Sequence, residues 1–599
     1  MKESNAQTRV SANARQSMLG GAMILTVSMM LVKVIGLLYK LPLANAYNME
    51  GKGYFSDAFN IYLPIYAIAI TGLNIAVSRM VSQRCAQGLY RDAREIHRVA
   101  KRLFLIAGLG GTALLLAVAY PFAMYLTDGA LGSIPSIVAI APTVYFCCAM
   151  SAYRGYYEGM RNMKPTAVSQ VLEALCKLIL GLGFALLVME GGLREYNAGG
   201  TIFSRAAASE EIAKSMLYPW ASAASIMGIT AGAVLSLAYL WLYHRIKGDG
   251  ITREQLQLAP PPEGRRKLAR EMITVAIPVV ISSVILNVTN FIDVANVRYL
   301  LSRTVARFPE VIGRIYGEAL AGKPVGDHSL WIWGVYNTSL DFRTLIPTII
   351  TALGVSALPA IAAAWTLRDK ATVQKHINTV LRIALMISLP AGFGMAVLSK
   401  EIMTLFYEKN NPGMAEHAAP MMAIFGIATA LMAVSAPVIS MLQGIGRTDV
   451  PVKSLVAGTL AKIGANQVLV SNPEINVKGA AVGTVLFYAV IVSINLFMLL
   501  RVSKTKVHLM PVLIKPLFCA SLCAAAAWLA KDLALSLAPQ FVSSERMVML
   551  LAVAAAIALA VAIYAVSMLL CRAVTREDLE ILPAGKKLGK TLAKWKLIG

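Results

Sequence analysis

A chain of 599 residues that is 57% hydrophobic and only 15% charged, with a mean hydropathy of +0.63, lies outside the range of soluble globular proteins. Its formal net charge of +24 would suit a nucleic-acid surface, but the basic residues collect in alternate loops between apolar runs, so the excess is a topology signal. The seven cysteines (Cys85, Cys147, Cys148, Cys176, Cys519, Cys523, Cys571) supply neither a disulfide framework in the outer loops nor a metal motif.

Apolar runs of about 18 residues or more cross a hydrocarbon core about 30 Å thick. Fourteen are predicted, near 19–42, 58–82, 102–126, 134–158, 164–189, 216–243, 270–296, 331–360, 377–399, 416–443, 452–471, 477–500, 508–532 and 546–571. Ala44-Asn45-Ala46 mimics a signal-peptidase site, yet the preceding run is longer than a signal segment and is broken by lysines, so the first span reads as uncleaved. Basic clusters such as Arg91, Arg94, Arg98, Lys101 and Arg102, or Arg265, Arg266 and Lys267, mark one side, and with it both termini, as cytoplasmic. The segment 297–330 is the exception, carrying Arg298, Arg303, Arg307, Arg314 and Lys323 on the opposite side.

In chain order, the first span carries Lys33 and Lys40, seven residues or two turns apart on one helical face. An ionisable group at the centre of a membrane helix costs roughly 2.5–3.5 kcal/mol on insertion scales, so it is expected to meet a partner or a wet cavity. Asp57 opens the second span, where it could answer Lys40. Arg154, with Glu158 one turn on, reads as either a cytoplasmic gate or an interfacial anchor. Glu173 and Lys177 stand at i,i+4 and are expected to pair. Span 7 places Asn287, Asn290 and Asp293 at three-residue intervals, and span 11 offers Asn466 and Gln467. Asp293, Asn290 and Asn466 are candidates for a Na⁺ or proton site, although a hydrogen-bonded helix contact explains them too. Span 8 puts Asp341 and Arg343 near mid-depth, pointing in different directions on a helix.

Residues 71–102 lie over 351–382 without a gap, and 158–177 over 443–462, joining the same ordinal spans of two six-span units. Both units start in the cytoplasm, so the repeats are parallel and related by an axis along the membrane normal, as in transporters that rock about a central substrate. The expected fold class is therefore an all-α polytopic membrane protein of about 14 transmembrane helices, with two parallel six-helix lobes and two extra C-terminal helices. The lobes are 19–246 and 270–502, joined by a linker at 247–269; the extra pair lies at 503–572, between a short N-terminal segment 1–18 and a basic tail 573–599. Lys33, Lys40 and Arg343 would make an interlobe cleft net positive, repelling cationic compounds and suiting a lipid diphosphate.

The stretches "GYYEGMRNMKPTAVSQVLEALCKLI" and "VKVIGLLYKLPLANAYNMEGKGYFSDAFNIYLPIYAIAITGLNIAVSRMVSQ" resemble the stage V sporulation protein B family. That family stands with the MurJ-type lipid II flippases in the multidrug, oligosaccharidyl-lipid and polysaccharide exporter superfamily. The resemblance implies no catalysis and no cofactor beyond Na⁺ or H⁺ coupling. It implies a monomer in the cytoplasmic membrane acting on a lipid-linked oligosaccharide, alongside membrane lipids and cell-wall or spore-cortex synthesis machinery, with no nucleic-acid partner. By resemblance Lys33 before Val34-Ile35-Gly36, Asp57 in "DAF" and Arg343 are the substrate residues, and the extra helices form a groove for the lipid tail. The sequence departs from the pattern at Tyr39, where relatives place a second arginine, so that Lys40 matches only after a one-residue slip. A cation-coupled multidrug exporter of the same superfamily is the alternative. A membrane glycosyltransferase is a weaker one, because Asp327-His328 stands without a supporting motif.

Overall fold

The computed structural model describes residues 18–125, 131–321, 323, 325–344, 346–348, 350–351, 361, 364–540 and 544–574. These fold into long helices: α1 Met18–Ala46, α2 Asn48–Ala86, α3 Tyr90–Tyr125, α4 Ser133–Gly159, α5 Lys164–Gly199 and α6 Glu210–Lys247, then short α7 Arg253–Leu258. They continue as α8 Arg265–Arg307, α9 Pro309–Leu320, α10 His328–Ser339, α11 Lys370–Val397, α12 Met414–Gly444, α13 Asp449–Leu469, α14 Lys478–Ser503, α15 Met510–Gln540 and α16 Glu545–Leu570. Ten of them are long and apolar enough to cross a membrane among the described residues. The predicted spans at 19–42, 270–296 and 452–471 coincide with α1, α8 and α13, which lie outside those ten, and the span at 331–360 is interrupted; the described residues do not fix the count at fourteen.

The protein is a multi-pass helical membrane protein. Two compact units make it up: Met1–Ser302 with Gly322–Gly334, and Arg303–Ala321 with Val335–Gly599. In the first, α4 packs against α2, α3 and α6, and α5 lies between α1 and α6. Its core includes Ile65, Val77, Met80, Phe104 and Val144. In the second, α12 packs against α11 and α14, α13 against α14, and the C-terminal pair α15 and α16 against each other, with α15 on α11. Ile377, Leu381, Val438, Met441 and Leu499 form part of its core.

Local chemistry sets the helix ends. The Ser209 hydroxyl accepts from the Ile212 amide to cap α6, Glu210 and Glu211 occupy its first turn, and Arg245 and Lys247 its last, each sign matching the helix dipole. Gly248, at φ +73°, ends it in a conformation that a β-carbon disfavours. A two-residue hairpin, Thr201–Ile202 with Arg205–Ala206, separates α5 from α6 and is a small exception to the all-helical expectation.

The internal repeat recurs in the helix boundaries. Tyr90 and Lys370, matched in the first alignment, begin α3 and α11; Gly159 and Gly444, matched in the second, end α4 and α12; Lys164 and Asp449 begin α5 and α13. The loop expected at 297–330 is largely helical instead. At 43 residues α8 is about 65 Å long, well beyond a hydrocarbon core, and α9 is amphipathic, burying Ile312, Tyr316, Ala319 and Leu320.

Within α5, Lys177–Gly181 winds with a wider π-helical turn, and Gly228 of α6 backs directly onto the Gly181 backbone. A β-carbon at 228 would overlap that backbone, whereas Gly183 faces open space. Gly228→Leu is therefore expected to destabilise the first unit by about 3 kcal/mol, the scale of severe overpacking, while Gly183→Ala leaves thermal unfolding of the purified protein unchanged or slightly raised.

Candidate functional site

Helix α1 is fixed by a buried stripe of Ser28, Ile35, Tyr39 and Leu43. The Tyr39 hydroxyl donates to the Ser225 carbonyl of α6 at 3.0 Å, and its ring lies 6.1 Å from that of Phe55 on α2. At roughly 100° per residue, Lys33 and Lys40 share a face about 120° around the helix from that stripe. Lys33 is exposed and Lys40 half-buried. Position 39 is thus a packing position.

Asp57 does not wait for Lys40. It is 1% exposed, accepts a hydrogen bond from the Ser133 hydroxyl at 2.8 Å, and faces Arg298 of α8, itself 2% exposed, at 3.8 Å. The Arg298 guanidinium lies 5.9 Å from the Trp333 ring and donates to the Ser329 hydroxyl. Beside this pair, buried Glu50 meets Lys323 at 2.7 Å. Burial pushes the half-buried Asp327 carboxyl above the usual range, with the Lys323 ammonium opposing that shift. Sequence reasoning missed Glu50, Arg298 and Lys323. The signal was the basic excess at 297–330: Arg298 and Lys323 are internal ion-pair partners, and Arg314 pairs with Glu474 in the second unit, so these charges are not free topology markers.

The pairing expected between Glu173 and Lys177 is also replaced. Arg154 of α4 donates to Glu173 at 3.0 Å and to the Ser169 hydroxyl at 2.9 Å, forming an α4–α5 clasp. Lys177, at the start of the π-helical turn, instead sits 4.9 Å from the Tyr39 ring centre and 5.1 Å from that of Phe59. The Lys177 ammonium thus lies against two aromatic faces. Glu158, the neighbour proposed for Arg154, faces Asn74 and Thr166 as well.

In the second unit α10 stops at Ser339, and Leu340–Thr344 form tight turns in which the Asp341 amide donates to the Thr338 carbonyl and the Arg343 amide to the Leu340 carbonyl. Asp341 and Arg343 are therefore half-buried turn residues, not points on a continuous helix. Between them Phe342 is buried toward Phe406. The Arg343 guanidinium lies 5.6 Å from the Phe425 ring centre, and the Thr429 hydroxyl donates to its carbonyl. Irregular backbone at membrane depth is tolerated where it is buried in protein or lines a water-filled cavity. Asn466 is buried on α13 against Gly483 of α14. The side chains of Asp293 and Asn290 lie outside the described residues.

Long apolar helices, a duplicated helix–connector–helix pattern and cations on a membrane helix define a transporter-like membrane protein. The family described as Polysaccharide biosynthesis protein matches residues 18–365, and this chain belongs to it; the family described as Lipid II flippase MurJ matches residues 332–552. Among curated proteins, the chain is 24% identical to the lipid II flippase MurJ of Bacillus subtilis (strain 168), covering 79% of this chain and 80% of that one. It is 23% identical to stage V sporulation protein B of the same organism, over 79% and 81%. Among solved structures, lipid II flippase MurJ in an inward closed conformation aligns with TM-score 0.60 at 12% identity over 91% of this chain and 99% of that one. An inward-facing multidrug resistance MATE family transporter of the MOP superfamily aligns at 0.55 and 14% identity, over 78% and 98%. These likenesses establish the fold.

Removing one partner of a buried ion pair strands the other charge, at a cost of about 3–5 kcal/mol. Arg298→Met is expected to destabilise the protein on that scale, and Asp57→Asn with Arg298→Met by less than the sum of the two single changes. Denaturant unfolding of the purified protein measures all three variants, and strictly additive effects would show that the two groups do not act as a pair.

Proposed function

We propose that this protein is a flippase, not an enzyme, that carries an undecaprenyl-diphosphate-linked saccharide, lipid II or a related precursor, across the cytoplasmic membrane by alternating access. Both termini are cytoplasmic in this reading. The observation that carries it is the exposed ammonium of Lys33 on α1. Asp57, the carboxylate that the sequence set opposite the lysines of the first span, is instead engaged by Arg298. A diphosphate is the complement of such a cation: lysine ammonium groups meet it as point charges, and an arginine such as Arg343 meets it through its planar fork.

Arg343, on the turn after α10, supplies the second unit's cation, with Asp341 beside it. The extra helices α15 and α16 expose large apolar side chains, among them Phe518, Trp528, Leu529, Leu533, Ile557 and Val561; these suit the lipid tail. Asp293, Asn290 and Asn466 remain the candidates for Na⁺ or H⁺ coupling. The protein works as a monomer beside cell-wall or spore-cortex synthesis machinery. A multidrug exporter shares the fold, but a cation-lined helix disfavours cationic drugs.

Reconstitution in liposomes with fluorescent lipid II and with a second undecaprenyl-diphosphate glycan tests the reading. Lys33→Ala and Arg343→Ala are expected to abolish translocation with expression intact. Full complementation of a flippase-depleted strain by both variants would count against it. Asp293→Asn is expected to alter the response to a Na⁺ or proton gradient; an unchanged response removes the coupling site.

A further inference from the structure

At the start of α3, Arg94, His97, Arg98 and Lys101 recur at i, i+3, i+4 and i+7 and so occupy one helical face. They line a cavity of about 300 Å³ together with Tyr156 of α4 and with His244, Gly248 and Asp249 at the end of α6. All of these residues lie in the first unit, and none belongs to the proposed transport site.

The charges here are unequally committed. Arg94 is held by Asp249 at 2.6 Å. Arg98 shares Glu95 with Arg265. Lys101 has no carboxylate partner among the described residues; its nearest marked neighbour is the Tyr153 ring, 5.6 Å from the ammonium. The lining therefore carries three cations against the single carboxylate of Asp249.

The two imidazoles add a polar signature. Their ring centres are 4.9 Å apart. His97 Nδ1 lies 3.2 Å from the Ala152 carbonyl, which can only accept, so that nitrogen carries the proton. The Tyr157 hydroxyl donates its one proton to the Gly248 carbonyl at 3.0 Å, so toward His244 Nδ1, also at 3.0 Å, it accepts. In both neutral rings Nε2 is left with a lone pair. Among the described residues His97 Nε2 is buried without a partner, and the residue is only 3% exposed.

We propose that this cavity binds a phosphoryl anion that still carries a P–OH group, such as pyrophosphate or a phosphomonoester. Lys101 and Arg98 take its charged oxygens, and a P–OH proton is donated to the orphaned acceptor on His97. Sulfate offers the same charged oxygens but no such proton at neutral pH, so the site discriminates between the two. The phosphomonoester can be a soluble ion or the headgroup of a phosphatidic acid lipid.

The test is calorimetric titration of the full-length protein carrying Lys33→Ala and Arg343→Ala, a background in which the proposed transport site does not contribute. Inorganic pyrophosphate is expected to bind one to one. Lys101→Gln, which breaks no ion pair, is expected to weaken it about tenfold, as for loss of one hydrogen bond to a charged group. Sulfate is expected to bind more weakly than pyrophosphate, and His97→Leu to erase that preference. Thermal unfolding checks that each variant is folded, with Lys101→Arg as the conservative replacement that retains binding. Repeating the titration in nanodiscs of phosphatidylcholine with and without phosphatidic acid assigns the source: displacement of pyrophosphate by the lipid names the headgroup, and its absence names a soluble anion. No pyrophosphate binding in this background, affinity unchanged by Lys101→Gln, or equal affinity for sulfate would overturn the proposal.

Discussion

A charge inside an apolar slab must find a counter-charge, hydrogen-bond partners or water, and the choice among these shapes the first unit more than any other constraint. Its buried Asp57 is faced by Arg298 and its buried Glu50 by Lys323, while half-buried Glu173 is held by Arg154. Arginine is suited to this task because its fork satisfies a carboxylate while its flat face rests on an aromatic ring, as Arg298 does on Trp333. Lysine has a compact charge on a flexible stem, and Lys33 and Lys40 sit on a helical face away from the stripe that anchors α1. The division of labour between the two cations follows from their chemistry.

Close helix packing makes those pairings geometrically possible. The approach of α5 and α6 at Gly181 and Gly228, the hydrogen bond from Tyr39 to Ser225, and the clasp from Arg154 to Glu173 hold α1, α4, α5 and α6 in fixed relation. The face of α1 that carries Lys33 and Lys40 is thereby held on a packed scaffold. In the second unit, rigidity gives way to a break: the turns after α10 set Asp341 and Arg343 on irregular backbone. Transporters commonly place substrate groups at such interruptions, because unwound backbone and side chains can turn to a ligand together.

The comparisons add what no single helix shows: the chain belongs to the polysaccharide biosynthesis protein family and shares its fold with lipid II flippase MurJ and with a MATE transporter. The basic cavity lined from α3, α4 and the end of α6 has a different character: its cations come with two imidazoles.

Much of this was legible in the sequence because hydropathy and charge act locally. Apolar runs had to become helices, and the repeated connectors had to end and begin helices at matching residues, as Tyr90 and Lys370 or Gly159 and Gly444 do. Lys33 and Lys40 had to share a face, since two helical turns separate them. Pairing was not legible. Which cation meets Asp57 depends on α8, more than two hundred residues away, and whether Glu173 meets Lys177 or Arg154 depends on the packing of α4 against α5. The interruption at 340–344 and the helical path through 297–320 were likewise decided by packing. Sequence determined where the charges enter the membrane; tertiary structure decided which of them are neutralised, because electrostatic partners are chosen by distance in space and not by separation along the chain.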